Sequence, residues 1–171
     1  GNTSASAAAY AAHALSRWAQ GLRYNGDPFQ PVQLAVRSLS LLVISAKVKL
    51  LADYEWESVE PQIRAAMLEA FGFARRQLGE DVVSSQVISV IQAVPGVAYV
   101  DLDLLDSIGE DTDLTGLEDI SAGLTLNDRI RVDLARVDPD STALPRPILP
   151  ARLAYLSPEI PDTLILTELT K

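Results

Sequence analysis

Between residues 101 and 119 the chain carries Asp101, Asp103, Asp106, Glu110, Asp111, Asp113, Glu118 and Asp119, with no Lys or Arg among them. Clustered carboxylate oxygens are what a hard cation such as calcium requires. Asp101, Asp103, Asp106, Asp111 and Asp113 are the residues such a loop would use. The spacing is not that of an EF-hand, which needs a glycine at the sixth position and a glutamate at the twelfth. A solvated loop, or one facing a basic partner, accounts for the run more simply, and no metal or cofactor is expected. Asp101 and Asp103 also alternate as a catalytic carboxylate pair would, but alternation along a solvent-facing strand places them there without catalysis.

Other chemistry is thinly represented. His13 is the single histidine and has no acid–base partner near it in sequence, and there is no cysteine. Thiolate catalysis, disulfides and Cys-ligated metal sites are therefore excluded within this chain. No Gly-x-Ser-x-Gly elbow, Gly-x-Gly-x-x-Gly loop or Walker A loop occurs. Trp18, Trp56, Tyr10 and Tyr24 read as packing residues rather than stacking platforms. No enzymatic activity is expected, and no small-molecule substrate.

The formal net charge of -9 over 171 residues repels nucleic-acid phosphates and anionic lipid. A hydrophobic fraction of 48% is ample for a packed core, and no apolar run is long enough to span a bilayer. The Ala-rich N-terminus lacks the basic start of a signal peptide. Gly1 in place of an initiator methionine is consistent with a fragment of a longer protein.

The periodicities predict a sequence of elements. Ala7, Ala11, Ala14, Leu15, Trp18 and Leu22 make an apolar stripe on a helix over 4–23, stopped by Asn25-Gly26-Asp27-Pro28. Leu42, Ile44, Ala46, Val48 and Leu50 alternate with Val43, Ser45, Lys47 and Lys49, a half-buried strand. A helix follows from Ser58 to about Leu78. Its buried stripe is Val59, Ile63, Met67, Ala70, Phe71 and Ala74, its C-terminus carries Arg75 and Arg76, and Gly79 ends it. Ser84 or Ser85 caps a shorter helix with Val87, Ile88 and Ile91. Val97–Leu105 reads as a strand with Ala98, Val100, Leu102 and Leu104 inward. Residues 106–128 form an acidic excursion, Ile130–Val137 a further strand, and the proline-rich segment 138–161 a surface path. A final strand runs over Thr163–Leu169. Residues 1–28 form an N-terminal helix and connector, and 29–171 an α+β domain: an antiparallel or mixed sheet of three to five strands, with two helices on one face and the other face exposed.

Part of this wording resembles a known family. Tyr24-Asn25-Gly26-Asp27-Pro28 leads into the strand Leu42–Leu50. The helix Ile63–Leu78 ends in Leu78-Gly79, and Val82-Val83-Ser84 comes after it. Next stands Val87-Ile88-Ser89-Val90-Ile91-Gln92-Ala93-Val94-Pro95-Gly96-Val97, with Tyr99-Val100-Asp101-Leu102-Asp103 beyond. Leu149-Pro150-Ala151-Arg152-Leu153 and Ser157-Pro158-Glu159-Ile160 resemble a closing segment before the last strand. This pattern resembles the C-terminal part of the baseplate J-like family, wedge proteins of contractile phage tails and related injection systems. The acidic excursion is not part of it. The resemblance implies a structural protein that joins other baseplate, wedge or tail proteins, and in some settings itself, through protein–protein contacts. Its implied location is the cytoplasm during assembly and then the baseplate of a virion or phage-tail-like particle. The reading from residues alone leaves open a stand-alone α+β domain that binds a ligand or calcium through the acidic loop.

Overall fold

The computed structural model describes residues 14–21, 33, 35–109 and 123–170. By contact the chain divides into two compact units, Arg37–Leu134 with Ala151–Lys171, and Gly1–Val36 with Ala135–Pro150. The fold is α+β, with a mixed four-stranded main sheet and helices packed against it.

The larger unit is organised by one long strand, β1 (Ser38–Leu50). Along one edge it pairs antiparallel with β3 (Val97–Gly109), from Ser40↔Gly109 to Leu50↔Val97. The other edge is shared in series by two parallel strands. β7 (Arg152–Tyr155) takes Ser38–Leu41, and β8 (Leu164–Glu168) takes Ile44–Val48. The expectation that 138–161 only tracks the surface is thus corrected, because it contains β7. Four residues are too few to show an alternation, and the flanking prolines hide them.

One face of this sheet is sealed by α2 (Trp56–Phe71) and α3 (Ser84–Gln92). Val59, Ile63, Met67 and Phe71 recur at helical spacing on α2, Val87 and Ile91 on α3, and all six pack with Leu42, Ile44, Ala46 and Val48. α2 starts two residues before Ser58 and stops at Phe71, well short of Leu78. Ala74 is accordingly exposed rather than buried. The stop is made at Gly72, whose N–H still reaches Leu68 O at 2.8 Å. A Cβ on Gly72 would lie 2.3 Å from that same oxygen, so the turn admits only glycine. Beyond it the chain peels off the helix: Phe71 O accepts from Leu156 N–H at 2.8 Å, and Gly72 bridges Leu156. The serines expected to cap α3 do not. Its N-cap is Val83, whose N–H is taken by the Gln86 side chain, while Ser84 N–H bonds Asp128 O.

β3 departs from simple alternation because it carries two bulges. Ser45 faces Leu104 while Ala46 faces Leu102, leaving Asp103 extra; Lys49 faces Tyr99 while Leu50 faces Val97, leaving Ala98 extra. Each extra residue inverts the parity of the strand beyond it. Val97, Leu102 and Leu105 are therefore buried in the main core with Val100 packed beside them, whereas Ala98 is exposed and Leu104 turns to the opposite face. The predicted inward set is right at Val100 and Leu102 and wrong at Ala98 and Leu104.

That opposite face is not uniformly open. Leu41, Val43 and Ile108 form a second buried cluster, covered by Leu104, Leu124, Tyr155 and Ile160. Val43, expected on an exposed face, is only 3% exposed. The strand expected at Ile130–Val137 exists only as short pieces. β2 (Val82–Val83) pairs with β4 (Arg129–Ile130), and the Asp81 carboxylate accepts Val132 N–H at 2.8 Å, so Ile130 and Val132 are buried while Leu134 is exposed.

In the smaller unit, residues 14–21 form helix α1. Leu15 and Ala19 are its half-buried positions, whereas Ala14 is exposed and Trp18 is 67% exposed, so the expected stripe is rotated by one position. Ala7, Ala11, Leu22, Tyr10 and Tyr24 lie outside the described residues. β5 (Arg136–Val137) and β6 (Ile148–Leu149) form a short antiparallel pair, and Gln33 Nε2 donates to Arg146 O.

Phe71 closes the core where α2 ends. Truncating it to Ala should cost about 3–5 kcal/mol of unfolding free energy, measurable by urea denaturation. Gly72→Ala should destabilise although it removes no contact.

Candidate interaction surface

Beyond the second cluster no buried cluster covers the same sheet face among the described residues. It is built from three rows set by the register. Lys49 lies beside Tyr99, Lys47 between Asp101 and Thr167, and Ser45 beside Ile165. Tyr99 is 50% and Ile165 45% exposed. The alternation of β1 places Ser45, Lys47 and Lys49 here, because Ile44, Ala46 and Val48 are committed to the helices. Lys47 Nζ pairs with Asp103 Oδ1 at 2.8 Å, so the bulge that makes Asp103 extra also delivers its carboxylate to Lys47. Lys49 Nζ donates to Leu169 O at 3.1 Å, fastening the end of β8. The hydrogen bond and charge of Asp103, with Asp101 adding to them, raise the pKa of Lys47 above the ordinary lysine value of 10.5.

The residues singled out for cation binding separate here. Asp101 and Asp103 stand on that sheet face. Asp106 is occupied as a structural acceptor: Oδ1 takes Ser107 N–H at 2.8 Å and Oδ2 takes Thr125 N–H at 3.0 Å. With Asn127, which donates both its N–H and Nδ2 to Leu105 O, it pins the chain against β3 as the excursion returns. Asp111, Asp113 and His13 lie outside the described residues. Among the described residues no three His, Cys, Asp or Glu side chains gather as a metal site, and no helix is long and apolar enough to cross a membrane.

Arg76, expected as a cation at a helix end, is instead a buried tie. Its side chain is 3% exposed. Nε donates to Ala154 O at 3.2 Å, Nη1 to Glu80 Oε1 at 2.8 Å, and Nη2 to Glu80 O at 2.6 Å and Asp81 O at 3.0 Å. Burial lowers its pKa, and Glu80 and Asp81 oppose that shift. Helical i,i+4 spacing does not explain this contact, because Arg76 and Glu80 lie beyond the end of α2 and three of the four acceptors are backbone carbonyls. An open cleft of about 430 Å³ lies beside it, where Ser85, Gln86 and Ser89 of α3 face Ala70 and Phe71. Glu80, the carboxylate in this cleft, is held by Arg76 and by Gln77 N–H.

Compared with known proteins, the chain matches no family model, no curated protein and no solved structure.

These contacts lead to two expected outcomes. The folded state holds the Lys47 proton more tightly than the unfolded chain. The pair's contribution is therefore present below pH 10.5 and lost as the pH rises through the raised pKa. An NMR titration should show Lys47 deprotonating above pH 10.5, and Asp103→Asn should return it toward that value. Arg76→Ala, which strands three backbone carbonyls, should cost about 3 kcal/mol in chemical denaturation.

Proposed function

We propose that this chain is a structural assembly module of the baseplate-wedge kind, acting through protein–protein contacts in a contractile tail or injection system. The observation that carries this reading is the unequal treatment of the main sheet. One face is sealed by two helices, and among the described residues the other is covered over Leu41, Val43 and Ile108 alone. What remains is a hydrogen-bonded sheet surface that presents an aromatic ring, an isoleucine and paired charges. A protein contact uses such a mixture, an apolar centre with a polar surround. Backbone already ordered by strand pairing lowers the ordering entropy that association must overcome. The resemblance of Leu41–Leu105 and of the closing segment to the baseplate J-like pattern supplies the kind of assembly. Its partners on this reading are other baseplate, wedge or tail proteins.

The test is genetic and structural. In cells that make the particles, deleting the chain should yield tails without an organised baseplate, and a tagged copy should be found by electron microscopy at the baseplate end. Intact particles in the deletion strain, with the tagged chain never particle-bound, would overturn the reading.

A further inference from the structure

We propose that the half of the sheet face beyond the second cluster is where two copies of this chain meet about a two-fold axis. The inference rests on the reading of that face as a contact surface, and it names the occupant.

The charge pattern selects a second copy. The chain carries a net charge of -9, and two of its three lysines, Lys47 and Lys49, stand on this one face. They are balanced there by Asp101 and Asp103, so the face is locally neutral on an acidic protein. A cationic partner is drawn to negative surface and gains least here. For two copies of the same acidic chain the argument reverses, because repulsion is weakest where each copy is neutral. The two signs also lie in separate strands, lysines on β1 and carboxylates on β3, which a self-complementary contact requires: residue i meets j, and j meets i.

The register makes this specific. Lys47 is the cross-strand partner of Asp101, and Lys49 that of Tyr99. An axis running along the strands, midway between β1 and β3, carries each β1 position onto its β3 partner in the opposing copy. Lys47 then faces the second copy's Asp101, and Lys49 lies over its Tyr99 ring, a cation–π arrangement. Both contacts occur twice. Tyr99 gains a role that burial inside its own domain does not give it.

Size sets the strength. Three strands about 4.8 Å apart, over some 20 Å of their length, make a patch of roughly 300 Å². That is well under the roughly 800 Å² per partner of a stable interface. The contact is therefore weak in dilute solution and becomes populated where copies are held close together.

The test uses the full chain, mixed from light and heavy isotope-labelled preparations at high concentration, with zero-length carbodiimide coupling and mass-spectrometric mapping. The expected product is a mixed-isotope peptide pair joining Lys47 to Asp101. Lys49→Glu, which leaves both coupling groups in place and removes the neighbouring contact over Tyr99, should lower its yield severalfold, and Lys47→Glu combined with Asp101→Lys, which exchanges amine and carboxylate, should again give a mixed-isotope product joining positions 47 and 101. Circular dichroism would check that each variant folds. Same-isotope products alone would overturn the inference. If Lys47 and Lys49 were then shielded from amine labelling inside assembled particles, the face would belong to a different partner, and the assembly reading would stand without this one. If both lysines stayed fully reactive in particles, the face would be no contact at all.

Discussion

The larger unit depends on β1 being paired along nearly its whole length on both edges. A strand of thirteen residues exceeds the usual five or six, and no single neighbour beyond β3 matches it. The second edge is instead completed by two short strands laid end to end, β7 against its first third and β8 against its middle. Between them the chain must leave the sheet. It does so by bonding Leu156 to the end of α2 and turning through a 3-10 helix at Pro161–Thr163, where Thr163 N–H and Oγ1 both bond Ile160 O. Gly72 and Arg76 belong to the same arrangement. The first ends the helix so that Leu156 can approach, and the second holds Ala154 O from beneath.

The difference between the two halves of the second face stems from four residues. In Leu41-Leu42-Val43-Ile44 both parities are apolar, so both faces must be covered; in Ser45 through Leu50 only one parity is. The return of the chain at Leu124 and Ile160 meets the first requirement. The bulge at Asp103 falls at the boundary. It turns Leu104 toward the covered half and gives Asp103 to the uncovered one, so a single insertion serves both sides of that line.

Much of the fold is legible in the sequence where elements are long. The alternation of β1, the helical stripes of α2 and α3 and the last strand are set by burial over many residues, which periodicity reports directly. Three things are not. The early end of α2 depends on a contact with Leu156, more than eighty residues away, so local propensity through Arg75 and Arg76 points past it. β7 is recruited by the free edge of β1 and has no pattern of its own. The parity of β3 depends on bulges, and Ala98 and Asp103 look like any other alternating residues until the partner strand is known. As for the interaction surface, the lysines and aspartates are visible as an open face, but their pairing across strands requires the register.

The order of the strands along β1 has a consequence for how the molecule is made. Lys49 and Leu169, joined in the finished sheet, are 120 residues apart. During synthesis β1, α2, α3 and β3 emerge before β7 and β8 and can close a helix-covered hairpin, while the opposite edge of the central strand stays unpaired until β8 has left the ribosome. Such distant pairings are slow to form, and an apolar strand with an open edge invites pairing with another nascent chain. Docking of β8 is thus the closing step in forming this sheet, and a chain cut before Leu164 would retain α2 and α3 yet keep the aggregation hazard of the unpaired edge.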